Sequence, residues 1–286
     1  IKQIEAAQLL AMLREVCVAH HLIPTDAFIQ KALQLYQVQE IRHGVMLVGP
    51  SGSGKSSILR CLLEAMERLD GKQGCIYTID PKAISKEQLF GSLDNVTSEW
   101  TDGVFTHIIR QIYNDVRGES TRRHWIVFDG DVDPEWAENL NSVLDDNRLL
   151  TLPTGDRLSL PGNVRILFEV QNLNYATPAS VSRCGTVWFS KDTVTPVDMF
   201  AHIILKLRNE PITYEVDAKK TLELQNEVIN DVAPFAEKHG LLDQCMAWSL
   251  AHAHIMETTA MQLATSFSCL LQQLIRNVME YNMDHQ

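Results

Sequence analysis

Five short apolar runs punctuate the first two thirds of the chain, at residues 44–48, 75–79, 125–128, 164–168 and 186–189. They are nearly continuous rather than alternating, the pattern of strands covered on both faces of a parallel sheet. Helical spacing of apolar positions at 56–69, 104–117 and 135–145 predicts the crossover helices between them. Two further stretches break this rhythm. Residues 149–160 alternate around Thr154-Gly155-Asp156, and residues 91–102 lie just before Gly103; both predict hairpin-like inserts. Beyond Phe189 the β-rich runs stop, and 196–209, 218–238 and 241–281 read only as helices, with Gly240 expected as a C-cap. Residues 1–40 show two helical patterns around a break at Ile23-Pro24-Thr25. The expected organisation is an N-terminal helical segment (1–40), an α/β domain with two hairpin inserts (41–192) and a smaller all-helical domain (193–286).

Composition narrows the classes. Of 286 residues, 45% are hydrophobic and 21% charged, and no apolar run approaches the roughly 18 residues of a membrane helix, which excludes disorder and helical membrane spanning. Lys+Arg 25 against Asp+Glu 36 leaves a net charge of −11, the wrong sign for binding a polyanion by bulk charge. Neither a nucleic acid nor a membrane is therefore expected as partner. The 6 cysteines form no CxxC or zinc spacing and read as reduced thiols of an intracellular compartment. With Ile1 at its start and no targeting motif, the chain reads as an excised piece of a longer one.

The chemistry begins at Gly49-Pro50-Ser51-Gly52-Ser53-Gly54-Lys55-Ser56, a complete G-x-x-x-x-G-K-[ST] phosphate loop followed by Ser57. It lies directly between a predicted strand and a predicted helix, the context the motif requires; a chance match in this length is on the order of 1 in 100. Small residues turn backbone N–H groups inward around phosphates, and the helix N-terminus adds its positive end. Lys55 would reach the β/γ-phosphates and the Ser56 hydroxyl would ligate Mg²⁺. A second acid for the metal is expected at the end of a neighbouring buried strand, and Asp129 supplies it after residues 125–128.

Gly130 follows where a hydrolytic enzyme of this type would carry the glutamate that polarises water. Asp131, Asp133 and Glu135 lie close by, but Pro134 suits the first helical position after Asp133 as N-cap, which places Glu135 in the first turn beside the helix dipole. His20, His21, His252 and His254 lack any metal-binding spacing.

These features together resemble the AAA+ ATPase family, and several long strings resemble the dynein heavy chains, above all the second of their AAA+ modules. The strings are residues 44–56, 79–86, 125–147 and 179–185; likeness at 1–20 and 210–286 is one of character only. The resemblance implies a five-stranded parallel sheet of order 5-1-4-3-2 with a helical lid, one of six modules in a ring. It implies ATP and Mg²⁺ as cofactors, with Lys55, Ser56 and Asp129 at the Walker positions. Asn172 falls at the sensor position, and Ile23 and Pro24 in the adenine-pocket segment. Gly130 implies a site that holds ATP without turning it over. Arg183 matches the arginine finger that serves the preceding module, and the two hairpins match inserts directed at the linker element. Partners are then the neighbouring modules and the linker, with a microtubule engaged only through the whole cytoplasmic, cytoskeleton-associated motor. Two alternatives stand beside this: a hydrolysing module using Asp131 or Glu135 as base, and a module of another six-module AAA+ protein such as midasin. No second sensor arginine is recognisable in the helical region.

Overall fold

The computed structural model describes all residues except 1, 95, 96, 98, 118–121, 213–217, 238, 239, 257, 285 and 286. Helices α1 (Lys2–Ala19) and α2 (Asp26–Ile41) precede β1 (Gly44–Val48), α3 (Lys55–Asp70) and β2 (Gly74–Ile79). Next come α4 (Lys86–Phe90), the strand pair β3 (Gly91–Leu93) and β4 (Trp100–Asp102), α5 (Val104–Arg117) and β5 (Arg123–Asp129). Short helices α6 (Pro134–Ala137) and α7 (Asn141–Leu144), the pair β6 (Leu149–Thr151) and β7 (Arg157–Ser159), β8 (Val164–Val170), α8 (Pro178–Arg183) and β9 (Gly185–Trp188) follow. The chain goes on through α9 (Pro196–Asn209), α10 (Ala218–Val232), α11 (Leu241–Leu250) and α12 (Ala260–Asp284). It divides into two compact units, 1–14 with 26–193 and 15–25 with 194–286. The N-terminal residues are thus shared between the two.

In the first unit the main sheet runs β2-β5-β8-β1-β9 with every pairing parallel. Counting only these strands in chain order, that is 2-3-4-1-5, the expected 5-1-4-3-2 read from the other edge. The three central strands are covered on both faces, β1 at every residue. The runs at 75–79 and 186–189 behave differently: as edge strands β2 and β9 they are only partly covered, and Trp188 is 58% exposed. Phe105, Phe128, Trp136 and Phe168 form one aromatic cluster on a sheet face, with Phe128 and Phe168 stacked at 5.4 Å. Both predicted inserts are two-stranded antiparallel hairpins, β3-β4 and β6-β7. Residues 95, 96 and 98 of the first lie outside the described residues.

The helix expected over 135–145 tightens into a 3-10 turn at Glu138–Leu140 between α6 and α7. Asn139, Asn141 and Ser142 are weak helix formers there, and the Asn141 side chain is engaged by the Ser180 hydroxyl at 3.1 Å.

In the second unit, α9 starts at a capping box of Thr195 and Asp198 with Pro196 at its first position. Buried Gln225 on α10 donates to the carbonyls of Leu207 and Glu210 and accepts from Ile212 N–H, satisfying the frayed end of α9. Two expectations need correction. Gly240 has φ −70 and N-caps α11 rather than ending α10, which passes into a 3-10 turn around Pro234. The single helix over 241–281 is two helices, because Thr259 and Gln262 form a reciprocal capping box that starts α12 afresh.

Two buried histidines tie pH to the first unit's stability. The His43 Nε2–H donates to Val143 O at 2.8 Å, while His124 meets the Tyr77 hydroxyl through Nδ1 at 3.3 Å and its Nε2 has no partner among the described residues. Burial lowers the pKa of both below the ordinary value. A lowered folded-state pKa contributes stability above the unfolded value near 6.5, which is lost as pH falls through the folded pKa. The melting temperature should therefore drop as pH falls below about 6.5, and His43→Gln should flatten that drop. An unchanged slope in this variant would free His43 of the role.

Candidate nucleotide site

β1 hands the chain directly into the phosphate loop. The Phe189 N–H donates to Val48 O at 2.7 Å and Gly49 N–H to Val170 O at 3.0 Å, so the loop starts where three strands are still joined. Ser53 folds the loop back, its hydroxyl donating to Pro50 O at 2.8 Å and its N–H to the same oxygen at 3.3 Å. Gly52 and Gly54 have φ of 79 and 88, left-handed conformations that side-chain-bearing residues rarely adopt. Gly54 is the N-cap of α3 and offers no side-chain cap. The first amides of the helix, those of Lys55, Ser56 and Ser57, have no intrahelical acceptor and are left for an anion, with the positive helix end behind them. Ser51 is exposed at the tip of the loop.

The Lys55 ammonium donates to Gly49 O at 2.7 Å and to Pro50 O at 2.9 Å. Burial lowers its pKa, against the opposing pull of the Glu169 and Asp129 carboxylates. Ser56 Oγ–H donates to Glu169 Oε2 at 2.6 Å. Glu169, on β8, is only 8% exposed and stands in register with Asp129 on β5. Burial raises the Glu169 pKa; the Ser56 hydrogen bond and Lys55 oppose this, and the charge of Asp129 adds to it. The fold thus brings Lys55, Ser56 and Asp129 together as the motifs predict, with Glu169 as an additional member.

Glu169 was not singled out by its motif. Its signal was a lone acid at the end of an apolar run, where an unpaired charge is expensive.

This arrangement fits a polyphosphate with its cation. The capless helix start and the Lys55 ammonium match the anion, and a hydroxyl beside two carboxylates matches a hard divalent ion, which takes a few protein oxygens and completes its shell from phosphate and water. Among the described residues no group of three His, Cys, Asp or Glu is placed to hold a metal by itself.

Around Gly130, the acids Asp131 and Asp133 are both engaged. Gly130 has φ +142, and its N–H donates to Glu169 O at 3.1 Å. Asp131 pairs with the Lys82 ammonium at 2.6 Å. The Asp133 carboxylate accepts from Glu135 N–H at 2.9 Å as the N-cap of α6, with Pro134 next, so Glu135 stands exposed in the first turn as expected.

The four remaining predicted residues are held by local contacts of their own. Asn172 follows β8 and closes an Asx turn, its Oδ1 accepting from Asn174 N–H at 3.0 Å. Arg183 ends α8 with Nε 2.5 Å from Asp145 Oδ1 and Nη1 2.8 Å from Ala179 O, an anchor within the chain's own fold. Ile23 and Pro24 form the turn after α1, within the second unit, where Thr25 N–H donates to Ile23 O at 2.9 Å.

Comparison with known proteins places these observations. A family described as "AAA domain (dynein-related subfamily)" matches residues 44–184, and one described as "Hydrolytic ATP binding site of dynein motor region" matches residues 1–56. The chain is 48% identical over 282 residues to the cytoplasmic dynein heavy chain of Fusarium vanettenii, which covers 96% of this chain and 6% of that protein. It is 46% identical over 294 residues to that of Drosophila melanogaster, with 96% and 6% covered. For Dictyostelium discoideum the figures are 42% over 328 residues, with 100% and 7% covered. The chain therefore spans only a small fraction of the length of these relatives.

The loop geometry has a direct test. A Cβ at Gly49 would lie 2.4 Å from Phe189 O, backbone that cannot swing aside. Gly49→Ala should cost about 1–3 kcal/mol of stability even without nucleotide, read as a lower urea midpoint. An unchanged midpoint would mean that the Phe189 backbone does not approach the loop this closely.

Proposed function

Since the chain belongs to the dynein heavy chain family as one of its AAA domains, we propose that it is the second module of such a motor, binding ATP and Mg²⁺ without hydrolysing it. The observation that carries the non-hydrolytic reading is Gly130, together with the commitment of Asp131 and Asp133. Lys82 holds Asp131, and Asp133 caps the helix on which Glu135 stands. The family described as hydrolytic matches only as far as Ser56, so it reaches neither Asp129 nor Gly130.

The roles follow from chemistry. The backbone amides left open at the start of α3, those of Lys55, Ser56 and Ser57, and the Lys55 ammonium bind the phosphates. Lys55, bonded to the carbonyls of Gly49 and Pro50, is the cation that would turn to phosphate oxygens, and Ser56 and Asp129 would hold the metal. The cation, when bound, offsets phosphate charge. Asn172 would serve the terminal phosphate, and Ile23 with Pro24 the base. No residue extracts a proton from water, so the bound nucleotide acts as a structural clamp. Hairpins β3-β4 and β6-β7 relay movement to the linker. Arg183 serves the nucleotide of the preceding module. The relatives are named as cytoplasmic, and we extend that location, with microtubule engagement through the whole motor, to this chain.

Protein purified without added nucleotide should carry ATP with its terminal phosphate intact. In a motor whose other sites are disabled, turnover should stay near background, since a positioned base contributes roughly 10² to 10⁴ in rate. Lys55→Ala should abolish retention and the associated stabilisation, about 4 kcal/mol at ligand 1,000-fold above Kd. Robust turnover that disappears in Asp131→Asn would reverse this reading in favour of an enzyme.

For Arg183, the Asp145 carboxylate holds the guanidinium at a helix end where a neighbouring module can be met. Arg183→Ala in the whole motor should slow hydrolysis in the preceding module by a factor on the order of 10³ to 10⁵, leaving ATP retention here intact. Normal microtubule-stimulated turnover would reduce Arg183 to its link with Asp145.

A further inference from the structure

Neither the phosphate loop nor the Asp129 strand contains Glu169, and no role has yet been given to it. It is the one acid of β8, and its side chain sits almost wholly out of water with Oε2 at 2.6 Å from Ser56 Oγ. Its strand position is fixed on both sides, opposite Leu47 of β1 and opposite Asp129 of β5. Its own carbonyl accepts from Gly130 N–H at 3.1 Å, so the backbone carrying it is anchored as well.

A serine hydroxyl has one proton and two lone pairs. When the proton is given to a fixed carboxylate, the lone pairs are turned to the opposite side, where they can serve only as acceptors. Without such a partner, a serine in the first turn of a helix can rotate and give its proton to a preceding backbone carbonyl. We propose that Glu169 is a positioning residue for the metal, holding the Ser56 proton so that the hydroxyl oxygen faces a divalent cation on the phosphates of the bound nucleotide. This rests on the ATP-binding reading and adds to it the residue that prepares the cation's protein ligand. Groups that orient a ligand in this way are commonly worth about 10- to 100-fold in metal affinity.

The test uses the whole heavy chain with the phosphate-loop lysines of its other modules replaced. Retained ATP is measured across a Mg²⁺ titration and again in excess EDTA. Glu169→Ala should raise the Mg²⁺ concentration for half-maximal retention by about tenfold or more, while retention in EDTA matches the parent. Glu169→Met, which fills the same volume without an acceptor, should behave alike and covers the case in which alanine leaves a cavity that unfolds the unit. Glu169→Gln presents an amide oxygen to the same proton and should return the Mg²⁺ requirement to within about threefold of the parent. In a Ser56→Ala background, Glu169→Ala should add nothing further.

An unshifted Mg²⁺ requirement in Glu169→Met overturns the proposal. So does an equal loss with and without Mg²⁺, a failure of Glu169→Gln to rescue, or an undiminished effect in the Ser56→Ala background. Parent protein that retains no ATP at any Mg²⁺ concentration refutes the nucleotide reading itself, a result these variants cannot imitate.

Discussion

Charge collected at one end of the central strands, with Glu169 almost wholly out of water, constrains the whole α/β unit. Lys55, Asp129 and Glu169 interact electrostatically at the carboxyl ends of adjacent strands and the helix start beside them. A buried charge without partners costs several kcal/mol, so Glu169, and in part Lys55, depend on neighbours held in place by the backbone. Lys55 relies on two loop carbonyls and Glu169 on the Ser56 hydroxyl. Those partners exist only because the loop turns tightly through Gly52 and Gly54 and is joined to β8 and β9 at its start.

Sheet order turns this local requirement into a property of the fold. With β1, β8 and β5 side by side, the phosphate loop, Glu169 and Asp129 leave the sheet from consecutive strands. Any other placement of β8 would take Glu169 away from both Asp129 and the Ser56 hydroxyl. The aromatic cluster around Phe128 and Phe168 lies on the same two strands, so the hydrophobic packing that fixes β5 against β8 also fixes the site's acids. Core and chemistry are therefore not independent parts of this unit.

Much of this was legible in the chain. The phosphate loop, the Asp129 strand, five strands and both hairpins stand at or within a few residues of their predicted places, because each is marked by local signals such as glycine spacing, dense apolar runs or turn residues. The apolar runs alone do not tell edge strands from central ones, since covering is a matter of neighbours rather than of composition; the strand order came only from the resemblance. The break before α12 was missed because Thr259 and Gln262 lie inside an otherwise helical stretch, and a capping box there reads like ordinary helix surface. Glu169 escaped notice for a related reason. Its partners Ser56 and Asp129 are distant in sequence and meet it only through the parallel register.

Gly130 carries a further meaning in its main chain. At φ +142 it occupies a region that residues with a Cβ avoid, although a Cβ there would meet nothing nearer than 3.8 Å. Space is available, but the backbone posture is wrong. Restoring a glutamate by one codon change would strain the strand end, and relieving that strain would pull on the N–H held by Glu169 O. On the proposed reading, the quiet state of this site is written in backbone as well as in side chain, so that a new side chain at 130 would have to bring its own change of main-chain conformation.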